Sequence, residues 1–129
     1  MERSVLIGII MILSSFIATA QLADDIIGNY HLPNNLDVEI YKQNDKYYGK
    51  IIDLNSFENG QVKDIHNHNK TNQNEPLLGK IIIHDMVFNS ADKQWVNGKI
   101  YSPEKGMVLD FKIITIKQKE IEVVGSKYF

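Results

Sequence analysis

The chain has 129 residues, 43% hydrophobic and 23% charged, with 14 Lys+Arg against 16 Asp+Glu for a formal charge of −2. This length holds one ordinary globular domain and excludes two large ones, and without a basic surplus to neutralise phosphates the chain is not expected to bind nucleic acid. It contains no cysteine, which excludes disulfides, thiolate metal sites, iron–sulfur clusters, cysteine nucleophiles and a lipidated N-terminal cysteine.

In chain order, the first feature is a targeting pattern. Arg3 and the α-amine precede an apolar run from Val5 to Phe16, and Ala18-Thr19-Ala20 before Gln21 has the small-x-small form of a signal peptidase site. A spanning helix needs about 20 apolar residues, more than this run supplies. The reading is a signal peptide over residues 1–20, cut between Ala20 and Gln21. One domain then remains over residues 21–129, exported to the periplasm or outside the cell, with no membrane span after signal removal.

Past Ala23, short β-branched and aromatic runs alternate with clusters of Asn, Asp, Gly and Pro, the pattern of an all-β domain. Strands are predicted over Ile26–His31, Leu36–Gln43, Lys46–Leu54, Leu78–Phe88, Trp95–Tyr101, Met107–Ile116 and Glu120–Lys127. A two-residue turn at Asn44-Asp45 sets Glu39 against Lys50 and Tyr41 against Tyr48 on one face, and Val38 against Ile51 and Ile40 against Gly49 on the other. Between the first hairpin and the next strands lies Asn55–Pro76, a polar, Asn-rich stretch long enough to be either functional or disordered.

A second hairpin turns at Ser102-Pro103-Glu104-Lys105-Gly106, which places Lys99 opposite Asp110, Ile100 opposite Leu109, Gly98 beside Phe111 and Val96 opposite Ile113. A third, at Gln118-Lys119, sets Lys117 against Glu120 and Ile116 against Ile121, and the apolar face changes side at Ile113-Ile114 as a β-bulge requires. Consecutive hairpins predict an antiparallel meander, which stays soluble by closing into a small barrel or folding into a sandwich; the up-and-down barrel is preferred.

Residue types for catalysis are scattered. No serine sits in a nucleophile-elbow setting, no glycine-rich phosphate loop occurs, and the pairs Asp24-Asp25 and Glu120 with Glu122 read as solvated carboxylates. His66 and His68 point to one side of an extended chain, but a third metal ligand exists only if the fold brings Asp64, His31 or His84 near, so a solvated loop is the reading. Asn69-Lys70-Thr71 is a glycosylation sequon, relevant only on a eukaryotic secretory route. No catalytic residue, metal or cofactor is therefore expected. The inward-facing set Val38, Ile40, Tyr47, Ile51, Ile100, Leu109 and Phe111 either fills the core or lines one apolar cavity.

The segments Val38-Glu39-Ile40-Tyr41-Lys42, Lys46-Tyr47-Tyr48-Gly49-Lys50-Ile51, Pro76-Leu77-Leu78-Gly79 and Gly98-Lys99-Ile100-Tyr101-Ser102-Pro103-Glu104-Lys105-Gly106 resemble the bacterial exported family called domain of unknown function 2147. The resemblance runs from about Asp24 to Gly125, and the opening Asp25-Ile26-Ile27-Gly28-Asn29-Tyr30 places Tyr30 where the family usually has Trp. It implies a signal-bearing envelope protein with a small calycin-like (lipocalin-like) barrel and no established activity. The family typically continues past the Ile121–Gly125 strand into a closing strand, whereas this sequence ends at Phe129, which implies an open barrel edge. The expected function is a module that binds a small apolar or amphipathic molecule. The alternative is a non-catalytic envelope domain that docks onto another protein.

Overall fold

The computed structural model describes residues 22–117 and 120–127. The predicted signal peptide and its cleavage site at Ala20 and Gln21 lie outside the described residues. A short 3-10 turn at Ala23–Ile26 leads into strands β1 (Gly28–His31), β2 (Asp37–Gln43), β3 (Lys46–Asp53), β4 (Ile81–Asn89), β5 (Gln94–Ser102), β6 (Met107–Lys117) and β7 (Glu120–Lys127). They form one seven-stranded sheet in which every strand pairs antiparallel with its neighbours in the chain. No helix among the described residues is long and apolar enough to cross a membrane.

Turn chemistry sets the register. Asn44 and Asp45 both take left-handed backbone, at φ 51 and 65, which gives the tight turn the twist of its flanking strands. The pairs Val38 with Ile51, Glu39 with Lys50, Ile40 with Gly49 and Tyr41 with Tyr48 follow as predicted. In the β5–β6 hairpin the Gly106 N–H donates to the Ser102 carbonyl at 2.7 Å, and Gly106 takes φ 65. Lys99 then faces Asp110, Ile100 faces Leu109 and Gly98 faces Phe111.

One predicted pair is wrong. Trp95, not Val96, stands opposite Ile113, because Asn97 adopts φ 63 and a bulge absorbs a residue between Trp95 and Gly98. The slip turns the Trp95 side chain inward, where it is completely buried. A second bulge falls between Ile113 and Thr115, where the apolar face changes side.

Two strand starts also move by more than one residue. The first strand begins at Gly28 rather than Ile26, since Ala23–Ile26 is wound into the 3-10 turn. The fourth begins at Ile81 rather than Leu78, because Gly79 at φ 86 and a hydrogen bond from the Lys80 N–H to the Leu77 carbonyl make a turn there.

The sheet curls around a core that includes Val38, Ile40, Tyr47, Ile51, Ile83, Met86, Trp95 and Ile113, all at most 1% exposed. Glycines make room for the bend: a Cβ on Gly49 would lie 2.8 Å from Ile83 Cδ1, and one on Gly98 would lie 2.4 Å from Met86 Cγ. The curled meander matches the expectation, but its predicted closure by strand pairing does not. Among the described residues no ladder joins β1 to β7, and β1, only four residues long, spends its register on β2. Side chains bridge the curl instead. Trp95 Nε1 donates to the Ala23 carbonyl at 2.9 Å, and Asn34 Nδ2 donates to Glu104 Oε2 at 3.2 Å.

An alternating meander has two ends. The Ala23–Ile26 turn corks one of them: Ile26 is fully buried, Tyr47 Oη donates to Asp24 Oδ1 at 2.6 Å, and Tyr30 Oη donates to the Ile26 carbonyl at 2.8 Å. The other end carries the β1–β2 connection, the β5–β6 turn and the long segment between β3 and β4. That segment is folded, with 3-10 turns at Phe57–Asn59 and Lys70–Asn72, a bridge between Lys63 and Pro76, and Phe57 and Leu77 buried beneath it.

Candidate ligand cleft at the open end

The β1–β2 connection reaches across the open end toward the β5–β6 turn, and between them lies a cleft of about 740 Å³. That volume falls within the range of small-molecule sites. Leu32, Ile82, Ile100, Leu109, Phe111 and the ring of Tyr30 form its apolar wall, with His31, Asn34, Ser102, Glu104 and Lys105 supplying polar groups. The wall is apolar because inward positions of β4, β5 and β6 are aliphatic or aromatic, and strand alternation keeps their charged neighbours outside.

Of the residues predicted to line a cavity, Ile100, Leu109 and Phe111 are on this wall. Val38, Ile40, Tyr47 and Ile51 also point inward but belong to the packed core, at 0 to 1% exposed, and do not line the cleft. Tyr47 lies toward the cork, but Val38 and Ile51 pair at the open-end side of β2 and β3, so the cleft is confined to the side of that end walled by β4, β5 and β6 rather than to its whole width. Leu32, Ile82, Asn34 and Glu104 are lining residues that the alternation pattern missed. The signal was the predicted turn at residues 102–106, which marks that end of the hairpin.

The polar groups at the rim are already paired in part. Glu104 accepts hydrogen bonds from the Ser102 hydroxyl and from Asn34 Nδ2. His31 Nδ1 lies 2.6 Å from Asp37 Oδ1, and this contact, followed by one from Asn55, holds the Asp37 carboxyl below the usual carboxylate range.

Behind the rim, the long segment is anchored by Asp64, the one charged residue that is fully buried among the described residues. Burial opposes its charge, yet donors outweigh that cost: Tyr101 Oη at 2.7 Å, Asn67 Nδ2 at 2.7 Å and Lys80 Nζ at 3.3 Å together hold its carboxyl below the usual range. Burial, and then the Asp64 carboxylate, push the Tyr101 phenol well above its usual value. The segment also packs against the rim, for a Cβ on Gly106 would lie 1.9 Å from the His66 carbonyl oxygen.

The histidines are not gathered into one site. His66 and His68 are exposed, Asp64 is committed to its three donors, and His84 Nε2 lies 3.0 Å from the Ile81 carbonyl. Among the described residues no group of three metal-ligating side chains converges. On the outer face Tyr41, Tyr48 and His84 form a ladder of ring contacts, at 5.9 Å and 6.3 Å between neighbouring centroids.

Comparison with known proteins agrees with this architecture. A solved structure of protein HP1028 from Helicobacter pylori, described as belonging to the lipocalin family, superposes with a TM-score of 0.64 at 20% sequence identity, covering 84% of this chain and 73% of that one. At that identity the likeness shows the fold, which is lipocalin-like, and nothing of the ligand. No curated protein matches the chain. The family described as "uncharacterized protein conserved in bacteria (DUF2147)" matches residues 28–129, from the first residue of β1 onward, and the chain belongs to that family.

Proposed function

We propose that the protein is an exported, non-enzymatic module that holds a small apolar or amphipathic molecule in the cleft at its open end. The observation that carries this reading is the cleft itself: about 740 Å³ with an apolar wall, in a sheet whose other end is tightly filled. The lipocalin-like fold supports it, since small barrels of this type commonly enclose one ligand. Export rests on the signal pattern of residues 1–20. The absence of catalysis is supported by the fixed engagement of the buried carboxylate, because acid–base work needs a group free to exchange its proton with substrate.

Native mass spectrometry of the protein purified from its own envelope fraction tests the proposal. A bound species with the mass of a small amphiphile supports it. A second reading, a docking domain for another envelope protein, is favoured by the unpaired outer edges of β1 and β7 among the described residues. An unliganded dimer or mixed complex in the same spectrum would move the weight to that reading.

A further inference from the structure

Among the polar groups at the cleft rim, Glu104 differs from the rest. It is half-buried on the β5–β6 turn, and its two hydrogen-bond donors, the Ser102 hydroxyl and the Asn34 amide, are both neutral. Among the described residues no ion pair reaches it. A carboxylate has room for about four hydrogen bonds, so this one keeps acceptor capacity and a partly desolvated charge at the edge of an apolar wall.

The cations nearby do not answer that charge. His31 is turned to Asp37 and is largely exposed. Lys105 is exposed on a flexible stem, where water solvates its ammonium. The Ser102 and Asn34 donors meanwhile hold the carboxylate in one orientation, from two segments 70 residues apart, so little ordering is required when a ligand arrives.

We infer that the cleft takes a single-chain amphiphile with a protonated amine head, recognised by Glu104, with its tail on Ile82, Ile100, Leu109 and Phe111. The inference rests on the reading of the cleft as a ligand site. An ammonium supplies both the missing hydrogen bond and the missing charge, and a charge-assisted bond of this kind is shorter and stronger than a neutral one.

The test uses the full chain, expressed in a bacterium, recovered in the form the cell yields and stripped of lipid. Three probes share a dodecyl tail and differ only in the head: dodecylamine, dodecanoate and dodecyl maltoside, each titrated calorimetrically below its micelle concentration. Dodecylamine is expected to bind about tenfold more tightly than the maltoside, the scale of one hydrogen bond to a charged group. Added salt is expected to narrow that gap. Glu104→Gln, whose amide oxygen still accepts from Asn34 while its Nε2 donates to the rotated Ser102 hydroxyl, should bring the amine down to the level of the maltoside and leave the maltoside unchanged. Equal binding of all three heads by the unsubstituted protein overturns the inference, as does a preference for dodecanoate that Lys105→Met removes. If none of the probes binds, the cleft reading itself fails.

Discussion

The two ends of the sheet are made by one alternation of inward and outward residues, yet one end is solid and the other hollow. At the corked end three aromatic side chains, Trp95, Tyr47 and Tyr30, each bury a large apolar body and each donate one hydrogen bond to the Ala23–Ile26 turn. Phe88 packs on Trp95 there with ring centroids 5.1 Å apart. At the open end the inward positions Ile100, Leu109 and Phe111 carry no polar tip, and the tyrosines that line the cleft, Tyr30 and Tyr101, commit their hydroxyls to the Ile26 carbonyl and to Asp64. The difference teaches that a polar tip decides whether an inward aromatic serves as filler. Where the turn supplies an acceptor, the Ala23 or Ile26 carbonyl or the Asp24 carboxylate, Trp and Tyr pack across the barrel; where the inward residues have no polar tip to anchor, space remains.

The contrast can be broken first at the cork. Trp95→Ala is expected to remove about 3–5 kcal/mol of stability in urea unfolding. Phe111→Ala should remove clearly less, since Phe111 borders space that is already present. Equal losses would mean that both ends are equally filled.

Next in size is the anchor of the long segment. Asp64→Asn should cost about 1–3 kcal/mol, because Lys80 loses its closest carboxylate and the remaining amide answers its buried donors less well. Limited proteolysis should then cut first between residues 55 and 79, leaving the strands intact.

A pH titration compares the two ends directly, because each is tied by a Tyr–Asp pair, Tyr47 with Asp24 and Tyr101 with Asp64. Burial first, and then the partner carboxylate, raise both phenols well above their usual value. A raised folded-state pKa contributes stability that is full below the unfolded value of about 10 and is lost as pH climbs from there through the folded value. Alkaline unfolding should therefore precede tyrosinate absorbance from these two residues. Tyr47→Phe or Tyr101→Phe should each flatten the alkaline decline. On the acid side the lowered Asp64 and Asp37 carboxyls contribute in full above the ordinary carboxylate range, and that contribution is lost as pH falls from the ordinary value through the lower folded one.

The smallest expected effect lies on the outer face, away from both ends. The Glu39 and Lys50 side chains meet at 3.4 Å but are both well exposed, so Lys50→Ala should change stability by about 0.5 kcal/mol or less.

The strand pairings were legible in the sequence where opposite charges or aromatics face each other across a definite turn, as with Glu39 and Lys50 or Lys99 and Asp110. The bulge at Asn97 was not, because Asn before Gly suits a left-handed position equally in a turn or within a strand. The cork was hidden for a related reason: Ile26-Ile27 has the composition of a strand, whereas the chain there closes a 3-10 turn through the Asp25 and Ile27 N–H groups and receives donors from Tyr30, Tyr47 and Trp95. For the cleft, alternation shows which side a residue faces but not whether its level is filled. Asp64 looked like one acid among polar loop residues, and its burial depends on Tyr101, 37 positions away.

Strict neighbour-to-neighbour pairing also has a kinetic side. Each hairpin except β3–β4, whose strands are separated by the long segment, can form as soon as its own two strands exist, with little chain to bring together. Two contacts have no such advantage: Trp95 must find Ala23 across 72 residues, and Asn34 must find Glu104 across 70. Those long closures carry a loop-entropy penalty the hairpins escape. The meander can thus be assembled as a ribbon before it is rolled, and the cork is the fastening that turns ribbon into vessel.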